Sequence, residues 1–174
     1  MNNKQIVNLF RKSNACSEAV EWAMQHGGTP AELWRDCEHG EWMTWIVAKW
    51  QDQFKFSRQQ IVLALCDCAA LSLKIWEDKY PKDKRPRNAI KMARAWARGK
   101  ATNEELKAAA YIASVAASAA YVAYAAYADS VAYAAYADSV ASAAYADSVA
   151  SAARKKTLLK CANIYRKHFP NIGK

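Results

Sequence analysis

Four arginines, Arg85, Arg87, Arg94 and Arg98, fall close together in the stretch KYPKDKRPRNAIKMARAWARGK. Arg87, Arg94 and Arg98 are spaced by seven and four, so a single helix face can present them together. A guanidinium is a rigid fork of donors that suits two-point contact with phosphate or carboxylate, which makes an anionic target the natural partner. A second cluster, AELWRDCEHGEWMTWIVAKW, crowds Trp34, Trp42, Trp45 and Trp50 together with Arg35 and Lys49. Trp42 and Trp45 are three apart and share a helix face, where one ring can stack on a planar ligand whose phosphates meet the basic stretch. The candidate ligand-binding set is therefore Arg85, Arg87, Arg94 and Arg98 with Trp42, Trp45 and Arg35. Each has a plainer role available. The tryptophans can form a core joining short helices, and Arg85 and Arg87 can cap helix C-termini or pair with Asp83 and Glu77.

Chemistry beyond binding finds little support. The chain has no glycine-rich phosphate loop, no H-E-x-x-H and no nucleophile elbow, so no enzymatic activity is expected. Glu38, Glu41, Asp67, Glu77 and Asp78 read as solvated helix-surface carboxylates rather than a catalytic pair. Cys16, Cys37, Cys66, Cys68 and Cys161 are scattered, without a C-x-x-C pair, and are expected to be reduced and mostly buried. Cys66 and Cys68 would point about 200° apart on a helix, which spoils joint metal ligation. His26, His39 and His168 are too dispersed for a zinc site, Cys37 with His39 being the nearest approach to one. No metal or cofactor is expected.

The formal charge of +9 is concentrated: the net is −2 over residues 1–78, +8 over 79–100, −4 over 101–153 and +7 over 154–174. Such basic blocks attract nucleic acid, nucleotides, acidic proteins or phospholipid surfaces over about a Debye length, ~8 Å at physiological salt. A general nucleic-acid binder would need a broad basic face, whereas acidic residues interrupt the Trp cluster and an acidic segment separates the two blocks. Nucleic acid is therefore the less favoured partner. No run approaches about 20 strongly apolar residues, and the N-terminus lacks a continuous apolar core with a cleavage site, so a cytoplasmic protein without a membrane span is expected.

These residues must be positioned by helices. Thr29-Pro30-Ala31-Glu32 combines an N-cap, a first-turn proline and a capping-box glutamate, predicting a helix from Pro30 to about Glu38 that Gly40 ends. Ser57 with Gln60 opens another, with Ile61, Leu65, Cys68, Leu71 and Ile75 on one stripe and Pro81 as its limit. Pro86 starts a third that turns Ile90, Ala93 and Ala97 inward and stops at Gly99. Thr102 with Glu105 caps a fourth. Shorter helices are expected at about Lys4 to Lys12, Cys16 to Gln25 and Glu41 to Trp50. The sum is an all-α, compact multi-helix bundle of about seven or eight helices, with long Ala/Tyr-rich C-terminal helices. A Trp-rich part (1–100) and an Ala/Tyr-rich part (101–174) should form one domain.

Between Ala101 and Ala153, 24 of 53 residues are Ala, which favours helix. The segment repeats YADSVAYAA at Tyr127, then YADSVASAA at Tyr136 and Tyr145. Nine residues at 100° each place successive copies on opposite sides of a helix, leaving no single polar face. A helix from Thr102 to Lys167 would run on the order of 100 Å, against a radius of gyration of roughly 16 Å for a compact domain of this size. A break is therefore expected, at Asp129, at Asp138 or at neither of them, with the segment folding back on the Trp-rich part. The small residues also suit homo-oligomer contacts through the Ala-rich helices.

ELWRDCEHGEWMTWIVAKW, the CDCAALSLKIWE helix and PKDKRPRNAIKMARAWARGKATNEELKAAA with its Ala-rich tail resemble the Imm-five-like immunity proteins, including versions carried by bacteriophages. The most specific element is matched by Asp83, Arg85, Pro86, Arg87, Ala89, Ile90, Ala93 to Arg98 and Gly99. The resemblance implies an all-helical, non-enzymatic protein that neutralises a toxin or a defence effector in a bacterial cell. Two anionic targets follow from the arginines: a signalling nucleotide held by sequestration, or an acidic surface on a toxin or defence protein.

Overall fold

The computed structural model describes residues 1–79, 81–107 and 148–172. Among them every regular element is a helix: α1 (Asn3–Lys12), α2 (Ser17–His26), α3 (Pro30–Asp36), α4 (Gly40–Lys49), α5 (Gln51–Phe54), α6 (Arg58–Lys79), α7 (Arg85–Ala97), helical residues 103–107, and α8 (Ser148–His168). The all-α expectation therefore holds. The expected bends at Asp129 or Asp138 lie outside the described residues.

Local chemistry sets the helix starts. Asn2 caps α1 in a reciprocal box with Gln5, and Thr29 caps α3 with Glu32, whose carboxylate accepts from the Thr29 N–H at 2.7 Å. Thr102 and Glu105 form the same box at 2.8 and 3.2 Å ahead of buried Leu106. Gly27 and Gly28 take φ of 70° and 87° between α2 and α3, a conformation that side chains disfavour.

One expectation fails at Gly40. α3 ends at Asp36, Cys37 to His39 make the turn, and Gly40 opens α4 instead of stopping the previous helix. Packing explains it. A Cβ at Gly40 would lie 2.4 Å from Cys161 Cβ and 2.8 Å from the Leu158 carbonyl, so the glycine lets α4 and α8 touch. The short α5 was also not foreseen.

Two apolar clusters organise the molecule. The larger lies where α7 runs along α6 and α8 packs on α4 and α6. Its centre joins Met43 and Val47 of α4, Val62 and Cys66 of α6, Ala93 of α7 and Tyr165 and Phe169 at the end of α8. The Leu158, Cys161, Ala162, Tyr165 and Phe169 stripe recurs at three and four, the period of a helix buried on one side. The smaller cluster holds Ile6, Val7 and Phe10 of α1, Val20 and Ala23 of α2, Leu33 of α3 and Trp50. Trp22 and Ile46 pack against both.

Candidate functional site

The helix that carries the four arginines has one buried side, formed by Pro86, Ala89, Ile90 and Ala93. Arg85 makes a two-point contact to Asp83 at 2.9 and 2.8 Å, and Arg87 makes another to Glu77, its Nε at 2.6 Å. These are the pairings allowed for in the sequence. Arg94 reaches from α7 to Asp67 of α6 at 2.8 Å, and His168 Nε2 lies 2.9 Å from the other oxygen of the same carboxylate. Asp67 thus ties three helices together. Arg98, at the C-cap of α7, is exposed and has no ion-pair partner among the described residues, and the same holds for Lys91.

At 100° per residue, Lys84, Arg87, Lys91 and Arg98 fall within an arc of about 60° on the side of α7 opposite its buried residues. All four are exposed. Lys84 and Arg87 share Glu77, the lysine at 3.9 Å, so Lys91 and Arg98 are the members of the stripe without an ion-pair partner among the described residues.

The tryptophans stand elsewhere. Trp42 stacks on His39 with ring centroids 3.8 Å apart and meets Trp22 at 5.9 Å. Trp45 meets Phe10 edge-on at 6.4 Å and Trp50 at 5.5 Å. Arg35 turns outward to Asp36, both contacts at 2.7 Å. Trp42 and Trp45 line a cavity of about 290 Å³, at the seam between the two apolar clusters. Its walls come from α1 to α5 and Ile172; among the described residues no arginine, and nothing from α7, lines it. The structure therefore brings the arginines together on α7 and the rings together on the cavity, as two separate sites.

Sequence reasoning missed the cavity, because its walls meet only when two clusters pack, and no spacing reports that. Trp34 was named in the aromatic cluster but left out of the candidate set. This ring is 6 % exposed, lines the cavity, and its indole N–H is buried without an acceptor among the described residues. Such an orphan donor costs about 1–3 kcal/mol. Its backbone carbonyl is served, since Arg166 of α8 donates to it at 3.3 Å and also to the Cys37 carbonyl, satisfying the end of α3.

Burial pushes the Cys37 thiol up to about 11 and the Cys66 thiol to about 12. Cys68 is raised by its hydrogen bond with Cys161 and by burial, and burial raises the Tyr165 phenol. These groups stay protonated at neutral pH and lack the thiolate that nucleophiles and metal ligands require. No group of His, Cys, Asp or Glu among the described residues is placed to hold a metal ion. None of the described helices is long and apolar enough to cross a membrane.

What the fold and its surfaces define is a helical scaffold with a charged stripe on one helix and an apolar cavity elsewhere. The chain belongs to the Imm-5 like putative immunity protein family, whose model matches residues 54–169. That membership supports an immunity-type role. The match takes in α6, α7 and all of α8, hence Arg85, Arg87, Arg94, Arg98 and Asp67, while α1 to α4, with Arg35, precede it. No curated protein and no solved structure matches the chain.

Proposed function

We propose that this chain is a non-enzymatic binding protein that neutralises a toxin or defence effector by direct contact, an acidic surface of the effector docking on Lys84, Arg87, Lys91 and Arg98 of α7. The observation that carries the reading is the stripe itself: exposed cations sharing one face of a helix whose opposite face is locked into the core. A rigid helix holds the charges in register, which speeds encounter and fixes orientation. Glu77 acts as a stand-in anion for Arg87 that a partner carboxylate can replace.

Sequestration of a signalling nucleotide has less support, because no arginine faces the ring-lined cavity among the described residues, so the rings and the cations do not converge on one ligand. The deciding experiment uses cells that the protein protects. Arg87→Glu, Lys91→Glu and Arg98→Glu combined should abolish both protection and co-purification of the effector while leaving the helical circular dichroism unchanged. Full protection by this variant sinks the reading, and a nucleotide released unchanged on heat denaturation transfers it to sequestration.

A further inference from the structure

We infer that the outer faces of α7 and α8 form one basic surface that binds double-stranded DNA through its phosphate backbone. This goes beyond the effector reading and does not rest on it. Three observations carry the inference.

First, the fold joins the two basic blocks that the sequence keeps apart. Arg94 of the first block and His168 of the second reach the same carboxylate, Asp67, at 2.8 and 2.9 Å. α7 and α8 both pack on α6, which carries Asp67. The junction is open to solvent, the Asp67 and Arg94 side chains being 42 % and 33 % exposed. The broad basic face that the separation in sequence argued against is present in the folded chain.

Second, α8 carries a stripe that matches the one on α7. At 100° per residue Lys156, Lys160 and Lys167 fall within an arc of about 40°, opposite buried Leu158, Cys161, Tyr165 and Phe169. All three are exposed and, like Lys91 and Arg98 of α7, have no ion-pair partner among the described residues. Lys91 and Arg98 lie about 40–60° round α7 from Arg94, and Lys167 about 100° round α8 from His168, so charges of both stripes flank the junction.

Third, the charge is of one sign. No Asp or Glu occurs between Lys84 and Asn103 or between Ser148 and Lys174. Duplex DNA presents one negative charge per ~1.7 Å of its axis, a repeat that favours cations spread over two helices, whereas an acidic protein patch carries both signs. The stripes extend about 21 Å from Lys84 to Arg98 and about 17 Å from Lys156 to Lys167. Trp96, Tyr165 and Phe169, the aromatic residues of α7 and the C-terminal part of α8, lie outside both stripes, which leaves a single strand without a stacking platform. The wide major groove of B-form DNA admits a helix face, whereas that of A-form RNA is deep and narrow.

Fluorescence anisotropy of the full chain with a labelled DNA duplex of about 20 mixed base pairs, at about 50 to 200 mM NaCl, forms the test. The dissociation constant should be on the order of 1–10 µM at about 100 mM, and log affinity should fall against log salt with a slope of about −4 to −5, roughly 0.9 for each of the unpaired cations. Lys156→Gln, Lys160→Gln and Lys167→Gln combined should reduce that slope by about 2.7, and Lys91→Gln with Arg98→Gln by about 1.8. All five side chains are exposed, so the helical circular dichroism should not change, and where one variant does not fold the other decides. No binding at the lowest salt, an unchanged slope in either folded variant, or tighter binding of an RNA duplex of the same sequence would each overturn the inference. None of these outcomes touches the effector reading, because no effector is present.

Discussion

At the scale of single residues, burial decides the chemistry of the cysteines. Cys37, Cys66, Cys68 and Cys161 are buried and Cys16 is exposed. A thiol titration of the native protein at pH 8 should therefore show one fast-reacting group, with the remaining four appearing on unfolding. Alkaline stability follows from the same burial. Cys37 and Cys66 stay protonated in the fold up to about 11 and 12, whereas the unfolded chain ionises near 9.0, so their contribution is complete below pH 9 and is lost as pH rises through 11 to 12. The loss is on the order of 3 to 4 kcal/mol per group, and a melting temperature flat from pH 7 to 9 and falling steeply above it would show it. The sequence made the thiols legible as reduced and mostly buried, since their scatter and the lack of a C-x-x-C pair needed no tertiary knowledge. Asp67 keeps the part-exposed position read from the sequence, but its pairing was not legible, because Arg94 and His168 are brought to it by two other helices.

At the scale of elements, the starts that carry a capping box or a first-turn proline were legible because each is written in four consecutive residues. The Thr29 and Thr102 boxes and the first-turn Pro86 stand where they were expected. Gly40 was not legible, because its reason is Cys161, far away in sequence. Gly40→Ala should force α4 and α8 apart and cost about 1–3 kcal/mol, read as a lower urea midpoint, although alanine is the better helix former in isolation. A neutral or stabilising effect would show that the two helices do not meet there. Arg166→Ala should cost about 1–3 kcal/mol as well, because it strips the donors from the Trp34 and Cys37 carbonyls at the end of α3. Hydrogen exchange should quicken at Asp36 and Cys37 in that variant, before any change in α1.

At the scale of the whole molecule, α8 is the element on which the rest depends. Tyr165 is fully buried beside Thr44, whose hydroxyl donates to the Gly40 carbonyl at 2.8 Å and lies 2.7 Å from the Tyr165 hydroxyl. Gln60 donates to the His168 carbonyl at 2.8 Å, joining α6 to the end of α8. A chain ending at Asp147 should lose cooperative unfolding and bind a hydrophobic dye, whereas separately supplied residues 148–174 should restore part of the transition. A fully cooperative melt in the truncated chain would show that α1 to α7 are self-sufficient. The charge distribution was readable at this scale from the sequence, but the separation of arginines from tryptophans was not, since only the packed helices fix which surfaces share a side. The position of α8 also bears on how the protein is made. Ribosomes deliver the chain from its N-terminus at about 5–20 residues per second, so the faces of α4 and α6 emerge roughly 5–20 s before the stripe that covers them. During that interval Met43, Val47 and Cys68 lack their neighbours from α8, and the nascent chain offers chaperones a hydrophobic surface that release of the finished chain then closes.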